Sequence, residues 1–213
     1  MLALFDLDNT LINRGVAVTE AITGLCDDYD YGPVIQDWLH TRLADRANPA
    51  DFTQLVVQHN LHDDPVRLWQ NYVDRVAAAV TCRPGVLEGL AQLRTHGWTI
   101  GIVTNGASDI QRAKLTTTGL TDLVDGVAVS GDVEIRKPDR RLFELAAARC
   151  GALLTDGGWM IGDNPAGDIG GGHTAGLHTI WLCGRPWLDE LPAADHVVDD
   201  VTDAIAILLN ERH

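Results

Sequence analysis

Six short apolar runs constrain this chain more than anything else in it. They are LALFD (2–6), WTIGIVTNG (98–106), VAVSGD (127–132), WMIGDN (159–164), HTIWLCG (178–184) and HVVDD (196–200). Runs without polar alternation belong to strands covered on both faces, which is the condition of a parallel sheet. The stretches between them, such as GVLEGLAQLRTHG and DRRLFELAAARCG, repeat apolar residues at helical spacing and end in glycine. Strand and helix in alternation predict an α/β fold built on a doubly wound parallel sheet.

One block breaks the alternation. Between about Arg14 and Arg83 no run reads as a strand, whereas VTEAITGLCDDY, VIQDWLHTRLADR, PADFTQLVVQHN and DPVRLWQNYVDRVAAAV all read as helices. The expected organisation is an α/β core made of 1–13 and 84–213, with an all-helical domain, 14–83, inserted after the first strand. Ligands of open parallel sheets bind beyond the carboxyl ends of the strands. An insert that begins there is expected to act as a cap.

The strand ends carry the chemistry. The first run ends at Asp6 and Asp8 with Thr10 close behind, and the second at Thr104 and Asn105. Arg136, Lys137 and Pro138 follow the third, and the fourth leads into GDNPAGD, with Asp163 and Asp168. In a parallel sheet these groups converge on one edge. Four carboxylates there repel one another unless a cation joins them, and oxygen-only ligands suit Mg²⁺. Mg²⁺ keeps open positions for substrate phosphate, so the cluster points to phosphoryl chemistry.

Taken together and in order, DLDNT, VTNG, RKPD and GDNPAGD resemble the four motifs of the haloacid dehalogenase superfamily, in the branch with a helical cap between the first two. The resemblance spans nearly the whole chain and implies a Rossmann-like core. It also implies roles. Asp6 would be the nucleophile that forms an aspartyl-phosphate. Asp8 would be the acid that protonates the leaving alkoxide and then the base that activates water, its main-chain carbonyl helping to hold the metal. Asp163 would ligate Mg²⁺ alongside Asp6, and Asp168 would orient the ligands or Lys137. Thr104 and Asn105 would hold phosphoryl oxygens, Lys137 would offset charge, and Thr10 would support the nucleophile's loop.

Asp8 separates branches of that family. The dehalogenases resemble this chain at the first aspartate and lack the second acid, because halide leaves without a proton. Phosphonate cleavage in the family uses a cap lysine, and residues 14–83 contain no lysine. A Mg²⁺-dependent phosphatase acting on a small phosphorylated metabolite is therefore the expected function. A sugar-phosphate mutase or other phosphotransferase, or a catalytically idle binding protein on the same scaffold, are the alternatives.

The rest of the sequence bounds this expectation. A formal charge of −14 opposes nucleic acid or an anionic membrane as partner. No window approaches the roughly 18 apolar residues of a membrane span, and the four cysteines form no CxxC pair. The expected location is the cytoplasm. Glycines 170–172 lack a phosphate-loop ending and read as close helix packing. Trp98, Trp159 and Trp181 read as core. Arg14, nearest the hinge, is the cap cation best placed for an anionic substrate.

Overall fold

The computed structural model describes residues 1–211. All six apolar runs form strands: β1 (Leu2–Phe5), β2 (Thr99–Thr104), β3 (Gly126–Val129), β4 (Trp159–Gly162), β5 (His178–Leu182) and β6 (His196–Val198). They make one sheet in the order β3-β2-β1-β4-β5-β6, with every pairing parallel. Connections run outward from β1 in both directions, so the order reverses at β1, where such sheets bind their ligands.

The helices are α1 (Arg14–Asp28), α2 (Pro33–Leu43), α3 (Pro49–Gln58), α4 (Pro65–Ala79), α5 (Pro84–Thr95), α6 (Ser108–Thr117), α7 (Ser130–Val133), α8 (Arg140–Arg149), α9 (Gly171–Ala175) and α10 (Val201–Asn210). Four of them begin at a proline, whose missing N–H is harmless in the first turn. The chain divides into two compact units, 1–12 with 82–105 and 119–213, and 13–81 with 106–118.

In the first unit β1 is buried along its whole length. Leu2 and Leu4 share an apolar cluster with Val103, Leu142, Phe143, Ala146 and Met160. Side chains alternate along a strand, so Ala3 and Phe5 bury the opposite face. Helix α8 packs on β1, β2 and β3, and α5 packs on β2 and α10. The glycine-run expectation is met by contact distances. A Cβ on Gly171 would lie 2.8 Å from the Phe143 ring, and one on Gly172 would lie 3.0 Å from Met160 Cβ.

The second unit is all helix. Asn13 caps α1 through Val16 N–H, and Asn48 with Asp51 forms a reciprocal capping box on α3. Its core holds a cluster of Phe52, Trp69 and Tyr72, with ring centroids 5.4–5.9 Å apart. Helix α6 belongs here rather than with the α/β core to which the sequence pattern assigns it. It packs on α4, and Trp69 Nε1 donates to Asp109 Oδ2 at 2.5 Å. Among the described residues no helix is long and apolar enough to cross a membrane.

Candidate active site

The first carboxylate stands one residue past the end of β1. Asp6 N–H still donates to Ile161 O at 2.8 Å, extending the β1–β4 ladder by one step. The chain then turns back sharply. Leu7 O accepts from Leu11 N at 3.0 Å and Ile12 N at 3.2 Å, and Asn9 takes a left-handed φ of 61°, a conformation asparagine tolerates. This turn buries Leu7 and leaves Asp8 half-buried. It also brings the Thr10 hydroxyl to 3.4 Å from Asp6 Oδ2, as donor.

Lys137, between α7 and α8, is 5% exposed and reaches the same carboxylate. Its Nζ lies 2.6 Å from Asp6 Oδ1 and 2.6 Å from Asp168 Oδ1. Among the described residues the latter oxygen has no other partner. The lysine is located by Asn105, at the end of β2. Asn105 Oδ1 accepts from Lys137 N–H at 2.9 Å, and its Nδ2 donates to Lys137 O at 3.1 Å. The sequence assigns Asn105 to phosphoryl oxygens; in the structure its carboxamide grips a neighbouring main chain. Thr104, one residue before it, is buried.

The GDNPAGD segment follows β4. It opens as a single wide turn of π type, Pro165–Gly170, and continues into α9. Single π turns recur at functional sites. Asn164 Oδ1 accepts from Gly167 N–H, and Asn164 N–H donates to Asp168 Oδ2, both at 2.9 Å. Asp168 is thus fully buried with both oxygens engaged. Gly162 makes room for it: a Cβ there would lie 2.1 Å from Asp168 Oδ2. Gly162→Ala is expected to displace that carboxylate and to cost about 1–3 kcal/mol, as overpacking of a filled interior does. An unchanged thermal unfolding midpoint would contradict this.

Oxygens of Asp6, Asp163 and Asp168 all lie within 4.8 Å of one another. The Asp8 side chain is not part of that group. Burial pushes Asp6 up to about 7; Lys137 opposes the shift, and Asp168 and Asp8 reinforce it. Burial also raises Asp163 and Asp168, against Arg185 and Lys137 respectively. Lys137 itself is pulled down by burial, yet Asp168 and Asp6 outweigh that and hold it above its ordinary value. One ammonium and one guanidinium therefore do not balance the three carboxylates. A hard divalent cation would, and an all-oxygen donor set fits Mg²⁺. Asp6 and Asp163 would hold it.

Arg14 caps a helix of its own unit. Its Nη1 donates to Ala44 O and its Nη2 to Leu43 O at 2.7 Å, closing the carboxyl end of α2. Trp98 and Trp159 are core, but Trp181 is half-buried and donates from Nε1 to Asp163 O at 3.2 Å. Arg185 Nε donates to Asp163 Oδ2 at 2.7 Å. Neither contact is anticipated by the sequence reading. The signal for Arg185 was its position: it stands three residues past β5, on the same sheet edge as the other groups.

Relatives carry the same frame. The family described as haloacid dehalogenase-like hydrolases matches residues 3–182. Pyrimidine 5′-nucleotidase YjjG of Escherichia coli (strain K12) is 30% identical over 84% of this chain and 84% of its own length. Pyrophosphatase PpaX of Bacillus mycoides is 29% identical, covering 96% of this chain and 95% of its own. The crystal structure of YfnB, a hydrolase of this family from Bacillus subtilis bound to magnesium, superposes with a TM-score of 0.72 at 22% identity, covering 97% of each chain. With the family match covering all four motifs and the fold in agreement, this chain belongs to the haloacid dehalogenase-like hydrolases.

Proposed function

We propose that this hydrolase is a Mg²⁺-dependent, cytoplasmic phosphatase that cleaves a small phosphomonoester through a phosphorylated Asp6. The observation that carries the reading is the buried Asp6 carboxylate at the end of the central strand. It is 2.6 Å from the Lys137 ammonium, and a second, more exposed aspartate stands two residues on. The four cysteines are free, in keeping with a reducing compartment.

In the first half-reaction an Asp6 oxygen attacks phosphorus in line, and the bond from phosphorus to the leaving oxygen breaks. Asp8 gives that oxygen its proton, so an alcohol departs. In the second, Asp8 takes a proton from water as the water attacks phosphorus, which releases inorganic phosphate and the Asp6 carboxylate. Thr104 holds phosphoryl oxygens, and Lys137 offsets the charge that builds on them. Asp168 acts through Lys137, and Asn105 through that lysine's main chain. Mg²⁺, held by Asp6 and Asp163, would polarise the phosphoryl group and neutralise charge in the transition state.

We propose the helical unit as the cap that selects the substrate. Pyrimidine nucleoside 5′-monophosphates are the first class to test, given the nucleotidase among the relatives. A phosphate-release screen of these and of sugar phosphates is expected to find turnover that EDTA abolishes and Mg²⁺ restores. An isomerised product without free phosphate would replace this reading with a mutase. Absence of turnover and of metal dependence across the panel would sink it.

A further inference from the structure

Asp163 is held at two points by one short segment that none of the four motifs contains. Trp181, in β5, donates from its indole to the Asp163 main-chain oxygen at 3.2 Å. Four residues later Arg185 donates from Nε to Asp163 Oδ2 at 2.7 Å. Trp187 packs its ring on Trp181, centroids 4.7 Å apart, which ties the far side of the Arg185 loop back to the strand. The other two carboxylates of the cluster share Lys137. Asp163 draws its counter-charge from a separate arginine, whose side chain is 39% exposed.

We propose that Arg185 is a positioning residue for the metal ligand Asp163. By occupying Oδ2 it fixes the orientation of the carboxylate, and the remaining lone pairs are left for a divalent cation. Trp181 and Trp187 hold the loop that delivers the guanidinium. The inference rests on the metal reading proposed above and deepens it: the affinity for the cation is set partly from outside the four motifs. Contacts of this kind fix the orientation of metal ligands, and losing one typically weakens metal binding about 10- to 100-fold. Against this works simple repulsion between the guanidinium and the cation. Water around the part-exposed guanidinium screens that repulsion, and the comparison of Arg185→Met with the unaltered chain reads the net result.

The test is direct binding of Mn²⁺, used as the probe for Mg²⁺, followed by electron paramagnetic resonance of the free ion. The full chain is compared with Arg185→Met, Arg185→Lys and Asp163→Asn, with thermal unfolding in EDTA measured beside each. Arg185→Met is expected to bind Mn²⁺ about 10-fold more weakly than the unaltered chain. Arg185→Lys, which keeps the charge and loses the planar fork, should recover part of that. The unfolding midpoint in EDTA should change little, since the arginine is part-exposed. Equal or tighter binding by Arg185→Met would overturn the inference; should that variant not fold, unchanged binding by Arg185→Lys would do so. If the unaltered chain binds no Mn²⁺, or Asp163→Asn binds it equally well, the metal reading falls and this one with it. Binding that needs Asp163 and ignores Arg185 overturns this inference alone.

Discussion

Asp6→Asn will abolish turnover, lowering kcat by about 10³-fold or more, while the chain stays folded. The substitution is nearly isosteric, and an amide nitrogen or oxygen does not displace an alkoxide from phosphorus. The fold should tolerate the change well. Burial already pushes Asp6 up to about 7, which means that the ionised carboxylate is held at a cost in the metal-free protein. A neutral side chain removes that cost, and Lys137 keeps its ion pair with Asp168. Loss of activity with an unfolding midpoint equal to or above that of the parent therefore identifies a chemical role. Rapid quench followed by mass spectrometry adds a second readout. The parent should show a phosphorylated chain during turnover, and Asp6→Asn should not. A variant retaining more than about a tenth of the parent kcat would sink the nucleophile assignment.

How much of this was legible in the sequence follows from how far apart the interacting residues lie. The placement of Asp6, Thr104, Lys137 and Asp163 on one sheet edge was readable because each sits in or near a short motif at or following a strand end. A parallel sheet necessarily gathers those ends on one edge. The six strands and the four helices of the insert were readable from apolar spacing alone. What was not readable depends on contacts across space. Asn105 reads as a phosphate-binding amide, and one sequence does not show that its carboxamide also bonds both main-chain groups of Lys137, 32 residues away. For Arg14 the sequence shows a cation near the hinge but not that two of its N–H groups bind the carbonyls at the end of α2. Helix α6 follows a strand, and by pattern it should cover the sheet. Its buried side nonetheless includes Gln111 and Lys114 besides Ile110 and Leu115, and it joins the helical unit through Trp69. Gly162 shows no signal in one sequence, because its meaning lies in the Asp168 carboxylate that fills the space of the missing Cβ.

Lys137→Met is expected to be the most destabilising single change at the site, costing about 3–5 kcal/mol. Lys137 Nζ is the shared partner of two buried carboxylates, at 2.6 Å from each. Removing one member of a buried ionic group leaves the others uncompensated, and that penalty exceeds what the intact group contributes. Methionine preserves most of the volume, so a loss of this size is electrostatic rather than a cavity effect. The cluster can relieve itself by taking up a proton. With the ammonium gone, the main influence opposing burial at Asp6 disappears, and its pKa moves upward from about 7. In the metal-free variant the protonated carboxyl is then the main form at neutral pH, so the stability lost relative to the parent should grow as the pH rises above about 7. Chemical denaturation in EDTA measures the stability loss without metal to mask it. The double variant Lys137→Met with Asp168→Asn separates this account from a packing defect. Neutralising Asp168 removes one of the two stranded charges, so the second substitution should restore part of what the first removes, a non-additivity of the kind expected for residues in one network. Additive losses in the double variant would mean that Lys137 acts through packing, and its charge-offsetting role would have to be given up.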